Sequence, residues 1–206
     1  MSAANEDHEG TPAAVVIPIT RGLRGEFNAN FGMALFLLSW GITFFGLFIA
    51  YLVVWHRAAV WPPAGTPPLR WVFPLCNTVI AGASSLAFDA AVRGARRNRP
   101  ADVRRWLSAA GLLGFSFLIL QTAMWAALWR SGFVLGINNF AGMFYALTWF
   151  HALHVLVGLV VLAALAPRAW RGGYTATDHR PLRLSGWFWH FVTIAWLGVF
   201  FLLWAL

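Results

Sequence analysis

Residues 140–166 read FAGMFYALTWFHALHVLVGLVVLAALA, a run with no Asp, Glu, Lys or Arg and with apolar side chains on every face of a helix. About 20 apolar residues cross about 30 Å of hydrocarbon, and a lipid-exposed backbone must satisfy its own hydrogen bonds. This stretch is therefore a membrane-spanning helix. Reading outward from it by the same criterion finds four more spans, at residues 31–55, 71–92, 106–129 and 185–206. The five spans take up more than half of the 206 residues, leaving a head of residues 1–30 and short connections. No room remains for a soluble domain. The predicted fold class is all-α, a polytopic bundle of five transmembrane helices. An outer-membrane barrel would instead show short segments of alternating polarity, which this sequence lacks.

Composition agrees: 60% hydrophobic, 17% aromatic and only 11% charged residues lie far from a soluble domain. The net charge of +8 would suggest a nucleic-acid partner if the basic residues, all 15 of them arginine, formed a patch. They follow the connections instead. Arg21, Arg24, Arg93, Arg96, Arg97, Arg99, Arg104, Arg105, Arg168, Arg171, Arg180 and Arg183 fall on one side of a five-helix topology, and only Arg57, Arg70 and Arg130 on the other. Positive residues in short loops stay on the cytoplasmic side. The expected orientation is N-terminus cytoplasmic and C-terminus periplasmic, with no nucleic-acid binding and a secondary attraction to anionic lipid headgroups. The head carries Glu6, Asp7 and Glu9 before a short apolar stretch at residues 13–19. A signal peptide would begin basic and have a longer apolar core, so residues 1–30 read as a solvated extension.

Ionisable groups inside a membrane are costly, which makes them the first place to look for chemistry. Asp89 is the only Asp, Glu, Lys or Arg within the five spans, and Arg93 lies four residues on, so the two share a helix face as an interfacial ion pair. That scarcity argues against a pump, channel or transporter built on buried carboxylates. His151 and His154 share a face of the fourth span, and His190 lies early in the fifth. A metal site wants three or four ligands and supporting carboxylates, whereas only His190 could be a third ligand and no acid accompanies it. These histidines read as neutral groups pinning the bundle through hydrogen bonds to residues such as Gln121, Thr148 or Thr193. The single cysteine, Cys76, can form no intrachain disulfide. Small residues from Ala81 to Ser85 allow close helix approach, residues 61–68 (WPPAGTPP) form a stiff loop, and the tryptophans near span ends read as an aromatic belt. No phosphate-binding loop, dinucleotide fingerprint or nucleophile elbow is present. No catalytic, cofactor-binding or metal-binding residue is assigned to this chain.

Several segments together resemble subunit III of the haem–copper terminal oxidases, the cytochrome c and quinol oxidases. They are Gly32-Met33-Ala34-Leu35-Phe36, Phe44-Phe45 and Ala50-Tyr51 in the first span, then Trp61-Pro62-Pro63, Gly65 and Pro68-Leu69 in the loop. Pro74-Leu75, Asn77-Thr78 and Gln121 follow, then Gly142-Met143-Phe144-Tyr145, Phe150-His151-Ala152-Leu153-His154-Val155 and Gly158, and finally Trp189-His190-Phe191-Val192 with Trp196. The ordered set covers about residues 31–206. It implies the five-helix bacterial form of an accessory subunit in the bacterial inner membrane, packed against the catalytic subunit I, with subunit II as a further partner. Haems and copper would sit in those partners, and oxygen reduction would belong to the complex. The resemblance also implies support of proton uptake, a longer working life for the enzyme, and bound phospholipid. For that lipid the expected place is a cleft between the first two helices and the last three, with headgroups near inner arginines such as Arg93, Arg96 and Arg97. His151, His154, His190 and Trp61 complete the lipid-binding or bundle-pinning candidates.

The departures are Trp40, Met124 and Thr193, which stand where many members carry Glu, Glu and Asp. Each removes a carboxylate from the membrane interior, a self-consistent change because an unpartnered buried carboxylate is expensive. Any proton-related role is thereby put in question. An accessory subunit of a nitric oxide reductase and a stand-alone transporter using the His151/His154 face stay open as alternatives.

Overall fold

The computed structural model describes residues 19–205, with side chains from Gly25 onward. Residues 1–18, most of the stretch expected to be a solvated extension, lie outside the described residues, as does Leu206. The described chain is all-α, with helices α1 (Ile19–Arg57), α2 (Val72–Arg96), α3 (Pro100–Arg130), α4 (Asn139–Trp170) and α5 (Arg180–Trp204). All five are long and apolar enough to cross a membrane. Each apolar run predicted from the sequence lies within one of these helices to within a residue or two at its ends, but the helices run further. The reason is physical: hydropathy marks the part matched to hydrocarbon, while helical hydrogen bonding continues into the polar layer where the arginines lie. α1 begins at Ile19, inside the stretch read as an extension.

Local chemistry sets the ends. Asn138 caps α4 by accepting a hydrogen bond from the Ala141 amide at 2.8 Å. Pro100 and Pro181 stand in the first turns of α3 and α5, where a missing N–H costs nothing. The α2–α3 connection is tight: a Cβ on Gly94 would lie 3.0 Å from the Asp102 side chain and 3.1 Å from the Val103 nitrogen, so a larger residue would have to push the start of α3 aside.

α2 and α3 form the most extensive helix pair, and α4 and α5 close a four-helix group with them. Among the described residues, α1 packs on α5 and slightly on α4, and its backbone does not closely approach α2 or α3. This corrects the expected cleft. The bundle does not divide into the first two helices and the last three, because α2 is welded to α3 through Ala87, Ala91 and Ala95 against Val103, Leu107 and Ala110. The separation lies between α1 and α2, both of which lean on α5. The outward faces carry large apolar side chains, among them Leu86 and Leu112, as a lipid-facing bundle requires.

The arginine-rich end is tied together by polar contacts. Arg183 donates to Asn30 at 2.9 Å, Asn98 accepts from the Ala176 amide at 2.8 Å, and Arg168 pairs with Asp178. Tyr174 lies beneath Arg168, 4.9 Å from guanidinium carbon to ring centroid. Burial pushes the Tyr174 hydroxyl above its ordinary range, against the smaller pull of Arg168.

Candidate functional site

The polar groups inside the spans form separate clusters rather than one site. His151 on α4 is fully buried, its ring 5.4 Å from Phe117 and 5.1 Å from Trp196, centroid to centroid. His154, one turn on, lies 4.4 Å from the ring of Trp40 and 5.1 Å from Phe44. Its Nδ1 donates to the Phe150 carbonyl at 2.7 Å, so in the neutral ring Nε2 is left as an acceptor, and no protein atom reaches it. Trp40 thus stands against the histidine at the position where the resemblance places a glutamate. Met124 is buried in the core, and Thr193 turns its hydroxyl onto the Trp189 carbonyl at 3.1 Å.

His190 is elsewhere. Its Nε2 donates to Asp89 at 3.2 Å, and its Nδ1 accepts from the Ser85 hydroxyl; the carboxylate can only accept, which assigns the tautomer. Asp89 also takes Arg93 at 3.5 Å. This corrects the statement that no acid accompanies His190: Asp89 was assigned to Arg93 alone because a helical spacing is visible in sequence and a contact from α2 to α5 is not. Arg96 and Arg97 are exposed at the end of α2. Among the described residues no group of three or more His, Cys, Asp and Glu side chains is placed to hold a metal ion.

Of the three histidines, only His190 hydrogen-bonds to another helix, through Ser85 and Asp89 of α2, and the remaining side-chain links between helices are made by other residues. Gln121 accepts from Asn77 at 3.0 Å, Thr148 accepts from the Trp125 indole at 3.2 Å, and Thr193 bonds within its own helix. None of the three reaches a histidine. Trp196 donates to Thr78 at 3.0 Å, and Trp189 donates at 3.0 Å to Ser84, which donates at 2.8 Å to the Ala110 carbonyl. Trp61 donates to Tyr51 at 3.1 Å and packs edge-on to Phe140, joining the end of α1 to the start of α4. Reading tryptophan as a belt residue missed that Trp125, Trp189 and Trp196 are interior donors. The available signal was their spacing: each lies in a span interior or faces small and hydroxyl-bearing residues across it.

The Asn77–Gln121 pair gives a clean test. Both side chains are fully buried, and the Asn77 Oδ1 and Gln121 Nε2 left over are complementary to one another. Asn77→Leu alone is expected to destabilise the protein by about 1–2 kcal/mol, because Gln121 loses its partner in a dry interior. The double variant Asn77→Leu/Gln121→Leu recovers most of that loss. Thermal unfolding of the two variants in the same detergent checks the sign reversal.

A bundle of five spans, closed internally by hydrogen-bonded side chains and faced outward with apolar ones, defines an integral membrane protein of the polytopic helical class. A family model described as cytochrome c oxidase subunit III matches residues 17–206, and the chain belongs to that family. It is 34% identical to cytochrome c oxidase subunit 3 of Synechocystis over 85% of this chain and 75% of that one. It is likewise 34% identical to the same subunit of Thermostichus vulcanus, over 85% of this chain and 86% of the relative. Cytochrome bo(3) ubiquinol oxidase subunit 3 of Pseudomonas aeruginosa is 30% identical over 84% of this chain and 82% of its own length.

Proposed function

We propose that this chain is an accessory subunit of a haem–copper respiratory oxidase, enzymatic only as part of the complex. The observation that carries the reading is the family match across all five helices, residues 17–206. The interior is compatible with it: polar groups pair with one another in twos and threes, and the three histidines of the spans do not converge. The finer reading places the subunit in a bacterial inner membrane with the N-terminus cytoplasmic, supported by the concentration of arginines at one end of the bundle. Its partners are the catalytic subunit I and subunit II, which hold the haems and copper. Phospholipid is assigned to the separation between α1 and α2, near Arg93, which the lack of contact between these two helices supports.

Mild-detergent extraction tests this directly. The chain is expected to copurify with subunits that carry haem absorbance, and native mass spectrometry of the complex to show retained phospholipid. After dissociation the haem should stay with the partners. Isolation without oxidase subunits, or stoichiometric haem on this chain alone, would overturn the reading.

A further inference from the structure

Between α3 and α4 a groove of about 360 Å³ opens on the surface of the bundle, a volume in the range of small-molecule sites. Leu107, Leu112, Leu159 and Ala163 make its walls apolar. Its polar groups stand at the arginine-rich end, where Arg104 and Ser108 of α3 line it together with Trp170, the last residue of α4. Arg104 has no acid partner among the described residues. Every described carboxylate is engaged elsewhere: Asp89 by Arg93 and His190, Asp102 by Arg99, Asp178 by Arg168 and Glu26 by Arg180.

We infer that this groove is a binding site for one anionic phospholipid, with its phosphate on the Arg104 guanidinium and an acyl chain lying between α3 and α4. Length sets the occupant. From Arg104 to Leu112 the groove follows α3 for about 12 Å, and from Trp170 back to Leu159 it follows α4 for about 16 Å. The hydrocarbon layer is about 30 Å thick, so the groove starts at one interface and ends near mid-membrane, the depth of a single leaflet. A helix of a neighbouring subunit would cross both leaflets and would need a groove running the whole length of the pair. Charge sets the headgroup. Lipid tails are as apolar as leucine, so burial of the chain supplies little preference and the guanidinium supplies most of it. A guanidinium holds a phosphate through two parallel hydrogen bonds, and a headgroup without an ammonium of its own leaves the phosphate charge for the arginine to meet. Trp170, 64% exposed, places an amphipathic ring at the depth of the headgroups. The site needs only that the helices span a membrane, and it is separate from the lipid position near Arg93.

The test measures lipid on the protein as extracted, with whatever subunits accompany it, after equilibration in vesicles of equal parts phosphatidylglycerol and phosphatidylcholine. Native mass spectrometry is expected to show retained phosphatidylglycerol, and Arg104→Gln to lower its occupancy about fivefold, the weight of one arginine near a membrane surface. Ala163→Trp should lose the same lipid by filling the groove while the arginine stays in place; both positions are exposed, so neither change disturbs the core. Arg105→Gln, on the neighbouring residue outside the groove, should retain the lipid. Equal losses in Arg104→Gln and Arg105→Gln would show diffuse surface charge and overturn the site, as would unchanged retention in Arg104→Gln or in Ala163→Trp. A density map of the assembly with a polypeptide helix seated between α3 and α4 would overturn it as well. The readout is lipid per chain and not haem or copurifying subunits, so failure of the oxidase reading and failure of this inference remain distinguishable.

Discussion

Trp196→Ala is expected to lower the stability of the folded bundle by about 3 kcal/mol, at the lower end of the range for emptying a buried tryptophan site. The lower end applies because lipid is as apolar as the protein interior, so the loss comes from packing and hydrogen bonding and not from transfer out of water. Trp196 is fully buried, stands edge-on to Phe117 at 4.8 Å, packs on His151 at 5.1 Å and donates to Thr78 at 3.0 Å. One side chain therefore joins α5 to α2, α3 and α4. Alanine leaves a void lined by rings that cannot collapse into it, and takes the indole donor from the Thr78 hydroxyl, which keeps its own bond to the Pro74 carbonyl. Trp196→Phe separates the two contributions: it keeps most of the ring packing and loses only the indole donor, with an expected cost of about 1 kcal/mol. Chemical or thermal unfolding in a fixed detergent, compared between the two variants, checks both figures. Equal costs would show that the hydrogen bond, and not the packing, dominates.

The number and places of the helices were legible because membrane insertion imposes a single strong constraint, and the runs at 31–55, 71–92, 106–129, 140–166 and 185–206 meet it without ambiguity. Helix ends were less legible, since nothing in hydropathy distinguishes a helix that stops at the interface from one that continues past it; α3 begins at Pro100, six residues before Trp106. The arrangement of helices was least legible. A cleft after the second helix was expected from resemblance, and chain order alone cannot show that Ala87, Ala91 and Ala95 present a smooth small-residue face to α3. Small side chains at helical spacing are the available sign of such a face.

Which polar residues lie within the spans is legible in the sequence; which groups they meet is not. Ionisable groups in a span stand out because they are rare; hydrogen-bond partners depend on helix rotation and register, which no single sequence fixes. So the spacing shows Asp89 with Arg93 on its own helix and not with His190 on α5. The replacements at positions 40, 124 and 193 follow the same logic. Trp40 fills space against His154, Met124 fills core, and Thr193 satisfies itself on its own backbone, so none leaves an unpaired charge behind. Three carboxylates can therefore be absent together without a compensating cation.

The second large effect is expected at Gly158, one of two glycines that grip Trp189. A Cβ built on Gly158 would lie 2.7 Å from the Trp189 ring, and one on Gly114 would lie 2.8 Å from it. Real Cβ contacts do not come so close, so the indole sits in a slot between α3 and α4 whose jaws must both be glycine. Its Nε1 is held there by Ser84, which leaves the ring no other position that keeps its hydrogen bond. Gly158→Val is expected to expel the indole, losing its packing against Phe88 as well as the bond to Ser84, at a cost of about 3 kcal/mol or more. A gain in intrinsic helix propensity of less than about 1 kcal/mol opposes this and cannot offset it. The measurable outcome is a sharp fall in the amount of folded subunit recovered from membranes, with Gly142→Val as the control, since a Cβ at Gly142 meets nothing within 4 Å. If Gly158→Val accumulates as well as Gly142→Val, the slot does not constrain the bundle. A pairing of Gly158→Val with Trp189→Phe narrows the cause further: the smaller ring relieves the clash, so recovery of folded protein in the double variant identifies the indole, and not the helix backbone, as what valine displaces.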